Sequence, residues 1–126
     1  LGHITTFGGH PVSCAAGLAS LNVILREKLA EKCLEKGNQF RQELKHRLIS
    51  EIRGEGLLLA VKLTNKNYIP TVITNAPEYG LVLDYFLFCS DSFRIAPPLV
   101  ISSSEISQAC SQLKRLLDET EKCIQA

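Results

Sequence analysis

Two stretches of this 126-residue chain carry residue types suited to holding anions. The first is HITTFGGHPVSCAAGLASL, residues 3–21, where Thr5 and Thr6 precede a Gly8-Gly9 pair and then Pro11. Glycine-rich backbone ahead of a helix turns several N–H groups toward one point, and the helix dipole adds positive potential there. With the Thr5 and Thr6 hydroxyls as further donors, such a bend suits a phosphate. On spacing alone, an ordinary helix start with permissive glycines is the favoured reading. The second is Arg94, set between Phe93 and Ile95-Ala96-Pro97-Pro98. A guanidinium in apolar, stiff chain needs a partner, because an unpaired buried charge is very costly, and a carboxylate matches its fork best. That carboxylate belongs either to a substrate or to a protein Asp or Glu, and on the residues alone the internal salt bridge is favoured.

Other candidates are weaker. The RGEG run, Arg53 to Gly56, reads as a tight bend. His3, His10 and His46 are isolated and read as surface or loop residues. The cysteines lack a neighbouring histidine and fall on apolar faces, which argues against a nucleophile. Asp84 and Tyr85 are placed beside a cleft, without a motif to support it.

The elements that must position these residues follow from periodicity. Pro11 suits the first turn of a helix. The segment Val12 to about Leu25, with its small face of Ala15, Ala16, Gly17 and Ala19, reads as a buried helix. Leu29, Cys33, Gly37, Phe40, Leu44 and Leu48 recur at helical spacing among charged residues, so a second helix is expected from Arg26 to about Leu48, loosened at Gly37. Next, IRGEGLLLAVKL (52–63) reads as a glycine-punctuated turn feeding a strand, Leu57 to Leu63. A short helix is expected over 68–79, ended by Gly80, and then extended chain over 81–89 with a turn near Asp84. FRIAPPLVI (93–101) supplies another strand, broken by Pro97-Pro98. Ser102 with Glu105 forms a capping box, and Ile101 with Ile106 a hydrophobic staple, at the start of a last helix. The fold class expected is α/β, with helices on one side of a small mixed or antiparallel sheet.

Composition bounds the function. Hydrophobic residues make up 45% and charged residues 21%, an ordinary globular balance. A net charge of +1 without a basic cluster gives no support for nucleic acid. No apolar run reaches the ~20 residues of a membrane span, and nothing resembles a signal peptide. Five dispersed cysteines without a CxxC argue against a metal site or a disulfide framework and fit buried free thiols in the cytoplasm. The absence of methionine, even at position 1, is read as the mark of a processed chain or a piece of a longer one.

Three segments in this order, HITTFGGHPVSCAAGLASL, IRGEGLLLAVKL and FRIAPPLVISSSEI, resemble the C-terminal portion of class III pyridoxal-phosphate-dependent aminotransferases, with the greatest likeness to ornithine and acetylornithine aminotransferases. The resemblance implies a fold-type I enzyme, with residues 1–25 the tail of the large cofactor domain and residues 26–126 the small C-terminal domain. It implies that Thr6 reaches the cofactor phosphate of the neighbouring subunit of a homodimer, with Thr5 assisting, and that Arg94 grips the α-carboxylate of amino acid and 2-oxo acid substrates. His10 stands where many relatives have asparagine.

The chemistry implied is transfer of a terminal amino group to 2-oxoglutarate, giving a semialdehyde and glutamate. Another class III member, such as an aminobutyrate aminotransferase or an aminomutase, is the alternative within the class. A cofactor-free interaction module is the alternative outside it. The lysine that holds the cofactor is expected upstream, because Lys28, Lys32, Lys36, Lys45, Lys114 and Lys122 lie on expected helices among charged neighbours. This stretch alone is therefore expected to be inactive and, with its first helix uncovered, prone to self-association.

Overall fold

A computed structural model describes residues 5–125, with side chains described through Lys122. The order of elements is α1 (Pro11–Arg26), α2 (Leu29–Glu43), β1 (Ile49–Glu55), β2 (Leu58–Leu63), α3 (Tyr68–Asn75) with a 3-10 turn at Ala76–Tyr79, β3 (Asp84–Phe86), β4 (Cys89–Ile95) and α4 (Ser103–Gln125). The strands form one sheet in the order β1-β2-β4-β3, and every neighbouring pair is antiparallel. This is the α/β arrangement of helices on a small sheet that the sequence implies.

One face of the sheet makes the core. Leu59, Val61 and Leu63 of β2 and Phe93 and Ile95 of β4 are buried with Phe40 of α2 and Leu44 just after that helix, Ile69 and Val72 of α3, and Ile106, Leu113, Leu116 and Leu117 of α4. Each such side chain contributes about 1.5–3 kcal/mol when fully buried, so this layer dominates the stability. The opposite face carries a row that crosses all four strands in register: Arg53 opposite Ala60, Ala60 opposite Arg94, and Arg94 opposite Asp84.

Several expectations need correction. Helix α1 is not buried: among its residues only Val23 and Ile24 are even half-buried, and the small face of Ala15, Ala16, Gly17 and Ala19 is exposed. The second helix is shorter than expected. Lys28 adopts a left-handed conformation (φ 51°) that separates it from α1, and it ends at Glu43, leaving Leu48 to enter the core from the turn that follows. Residues 49–55 are a strand, and Arg53 to Glu55 belong to it. The bend itself is the two-residue loop Gly56–Leu57, with positive φ (52°) at Gly56. The turn placed near Asp84 lies at Leu87–Phe88, and Asp84 opens β3.

The start of α4 is as the sequence implies. The Ser102 N–H donates to Glu105 Oε2 (2.7 Å), and the Glu105 N–H donates to Ser102 Oγ (3.3 Å). The backbone hydrogen bond from Ser102 is the main cause holding the Glu105 carboxyl below its ordinary value. Ile106, the staple residue, is fully buried.

Of the cysteines with described side chains, Cys14, Cys33, Cys89 and Cys110 are free, but only Cys110 is buried. Burial, reinforced by the Glu43 carboxylate, pushes the Cys110 thiol up from 9.0 to about 11. An unfolded thiol releases its proton first as pH rises, so the stability this group lends is complete below pH 9 and is lost as pH climbs toward about 11. Urea midpoints followed from pH 8 upward are therefore expected to fall less steeply for Cys110→Ala than for the unaltered chain.

Candidate functional site

Arg94 owes its position to β4, which is sandwiched between β2 and β3. Phe93 and Ile95 on either side of it point into the core and are buried, which forces the intervening side chain onto the opposite face. The chain then leaves the sheet through Ala96-Pro97-Pro98, which restricts its backbone. Arg94 sits on the wall of an open groove of about 430 Å³ that also takes in Leu81, Leu83, Pro97, Pro98 and Ile101. The groove is otherwise apolar, and Arg94 is the charged residue of its lining.

The guanidinium is paired. Arg94 Nη2 donates to Asp84 Oδ2 on the adjacent strand, and Asp84 Oδ1 accepts from the Tyr85 N–H at 2.8 Å. Asp84 and Tyr85 are not among the residues that line this groove, although Asp84 adjoins it through its bond to Arg94. Arg94 thus has an internal partner on the adjacent strand and is also among the residues that line the groove.

The N-terminal loop is built as its glycines demand. The His10 N–H donates to the Phe7 carbonyl at 3.1 Å, closing a turn with Gly9 at φ 82°, a conformation that favours glycine. A Cβ on Gly8 would overlap Thr5 Oγ1, so the missing side chain is what lets this hydroxyl fold over the turn. Pro11 occupies the first turn of α1, and His10 gives no side-chain cap, so the helix N-terminus is left for other acceptors. Thr5 and Thr6 are exposed. Hydroxyls, a glycine turn and an uncapped helix N-terminus, with no carboxylate in the loop, fit a phosphate. Neither threonine lines the Arg94 groove.

Among the described residues, no lysine lines the groove or belongs to the N-terminal turn. Lys36 donates to the Leu99 carbonyl (2.6 Å), Lys62 pairs with Asp91 (3.1 Å), Lys114 donates to the Glu43 carbonyl (3.4 Å) and Lys122 pairs with Glu119 (2.8 Å). Lys28 and Lys45 lie just outside helices rather than on them. His46 lies in the loop between α2 and β1, as expected, but its side chain is only 8% exposed, bonded to Asp118 Oδ1 at 3.0 Å and accepting the Leu48 N–H at Nδ1. His10 is exposed at the start of α1, and His3 lies outside the described residues. Cys89 does not lie on an apolar face, since its sulfur meets Arg53 Nη2 (2.8 Å) and Asp91 Oδ1 (3.1 Å). Those contacts bring together β1 and the bulged start of β4, a juxtaposition that no motif in the sequence marks.

Comparison with known proteins places this geometry. The family profile "Aminotransferase class-III" matches residues 1–117. The chain belongs to the class-III aminotransferases. Among curated relatives of this class-III chain, an ornithine aminotransferase of Geobacillus sp. (strain WCH70) is 38% identical over 122 residues, covering 90% of this chain and 28% of the relative. An acetylornithine aminotransferase of Caldanaerobacter subterraneus subsp. tengcongensis is 34% identical, covering 93% of this chain and 30% of the relative. The crystallised ornithine aminotransferase of Toxoplasma gondii, described with partial occupancy of PLP at its active site, superposes with a TM-score of 0.80 at 33% identity, over 98% of this chain and 31% of that one. The chain thus spans less than a third of the length of these class-III relatives.

Proposed function

We propose that this chain is the C-terminal part of a pyridoxal-phosphate-dependent aminotransferase that moves the terminal amino group of ornithine or acetylornithine to 2-oxoglutarate, giving a semialdehyde and glutamate. The observation that carries the reading is Arg94: an arginine held by a rigid strand and prolyl backbone as the charged residue of an otherwise apolar groove, in a chain related to ornithine and acetylornithine aminotransferases. When bound, the cofactor supplies an electron sink for the reacting carbon. This chain's part is to bind and orient. Arg94 holds the substrate carboxylate through charge-assisted hydrogen bonds and so fixes the acid against the reacting centre.

The Thr5-Thr6 turn holds the cofactor phosphate. That neither threonine lines the Arg94 groove is in keeping with a phosphate site completed by a second subunit of a homodimer. Residues 1–25 belong with the large domain and 26–126 form the small one. That α1 buries none of its residues in this chain's core supports the division. Since no lysine stands at the groove or the turn, the stretch by itself is inactive. Free thiols support a cytoplasmic setting. Among the described residues, no helix is long and apolar enough to cross a membrane.

The full-length protein, loaded with cofactor, is expected to form glutamate from 2-oxoglutarate with ornithine or acetylornithine as donor, while this stretch alone forms none. Turnover of 4-aminobutyrate in place of both would replace the substrate assignment. Absence of glutamate with every amine offered would overturn the reading.

A further inference from the structure

We infer that Asp84 is the positioning residue for Arg94, acting behind the guanidinium rather than competing with substrate for it. The inference rests on the carboxylate-binding role proposed above. Asp84 and Arg94 are directly opposite in the antiparallel β3–β4 ladder, so the backbone itself sets their side chains on one face of the sheet. Asp84 is held at both oxygens: Oδ1 takes the Tyr85 N–H at 2.8 Å, and Oδ2 takes Arg94 Nη2. A carboxylate anchored by its own backbone cannot follow the guanidinium about, so it fixes one corner of the fork.

Arg94 lines the groove and Asp84 does not. Among the described residues, Asp84 is the only side chain bonded to the Arg94 guanidinium, and it engages one nitrogen, Nη2. A guanidinium has five N–H donors in a rigid plane, so a grip at one nitrogen leaves donors enough for a bidentate carboxylate. On the far side of Arg94, Ala60 is the residue in register; its methyl group offers no polar atom to compete for those donors. The row Ala60–Arg94–Asp84 therefore supplies the guanidinium with one anchor and one apolar neighbour. An arginine on a flexible stem loses much of its binding strength to side-chain entropy, and an anchor removes that loss before substrate arrives.

The test uses the full-length, cofactor-loaded protein with the variants Asp84→Asn, Asp84→Glu and Arg94→Ala. Asparagine keeps an acceptor for the Tyr85 N–H but loses the charge that holds Arg94. The Michaelis constant for 2-oxoglutarate is expected to rise roughly three- to thirtyfold in Asp84→Asn, with kcat within about twofold, and to recover in part in Asp84→Glu. Turnover of a donor amine that carries no carboxylate, measured at saturating 2-oxoglutarate, is expected to stay unchanged; a general loss of structure would lower it as well. If Arg94→Ala raises the constant and Asp84→Asn leaves it unchanged, the positioning role fails while the carboxylate site stands. A lower constant in Asp84→Asn overturns the inference too, since Asp84 would then be a competitor. If Arg94→Ala has no effect, the carboxylate reading itself falls and this one with it.

Discussion

Arg94→Ala in the full-length protein is expected to raise the Michaelis constants of both carboxylate-bearing substrates roughly ten- to hundredfold. The size follows from the interaction removed. A hydrogen bond to a charged group is worth about 1.5–3 kcal/mol, and each 1.4 kcal/mol is about tenfold in affinity. The loss is not expected to reach the fold. The Arg94–Asp84 pair is partly solvated, with side chains 39% and 60% exposed, and an ion pair of that kind contributes only about 0–1 kcal/mol. Thermal midpoints of variant and parent should therefore lie close together. Arg94→Lys is expected to fall between the two, since an ammonium keeps the charge and loses the planar fork. An unchanged constant for 2-oxoglutarate in Arg94→Ala removes the residue from the role.

What the sequence discloses here depends on the range of the interaction. Helices α2, α3 and α4 are legible because their apolar residues repeat at helical spacing, and the start of α4 because Ser102 and Glu105 meet within one turn. Strand β1 is hidden by a local irregularity. Its inward residues Ile49 and Ile52 are three apart, because the register slips between Ile49 and Glu51, and the slip erases the alternation that marks a strand. The exposure of α1 is invisible for a different reason: a small apolar face states that something should cover it, not what.

Arg94 divides along the same line. Its apolar, prolyl setting is local and reads directly as a demand for a carboxylate. Which carboxylate is a question about a strand pairing, and only the β3–β4 register brings Asp84 to it from ten residues away. The polar cluster of Arg53, Cys89 and Asp91 is likewise a product of tertiary structure, drawing on residues of β1 and β4 that no spacing rule links.

Gly37→Ala is expected to lower the stability of this chain by about 2 kcal/mol, against the sign that helix propensity gives. Gly37 lies mid-way along α2, where glycine reads as a weakness and alanine gains about 1 kcal/mol. The structure reverses that reading. A Cβ at Gly37 would overlap the carbonyl oxygen of Gly56, and a Cβ at Gly56 would come within 3.3 Å of Cys33 Cβ. The helix and the β1–β2 loop thus touch backbone to backbone, which no side chain can relieve by changing rotamer. Inserting a methyl group into such a contact costs typically 1–3 kcal/mol and sometimes more, and here α2 must lift off the loop or the loop must open. Either movement also disturbs Phe40, one turn along α2 and 2% exposed in the core. The control is Gly17→Ala in α1, where an added Cβ meets nothing within 4 Å and the propensity gain of up to about 1 kcal/mol stands unopposed, so stability is expected to hold or rise. A stabilised Gly37→Ala chain would mean that α2 and the loop stand further apart than this packing requires, and that the helix is carried on side chains alone.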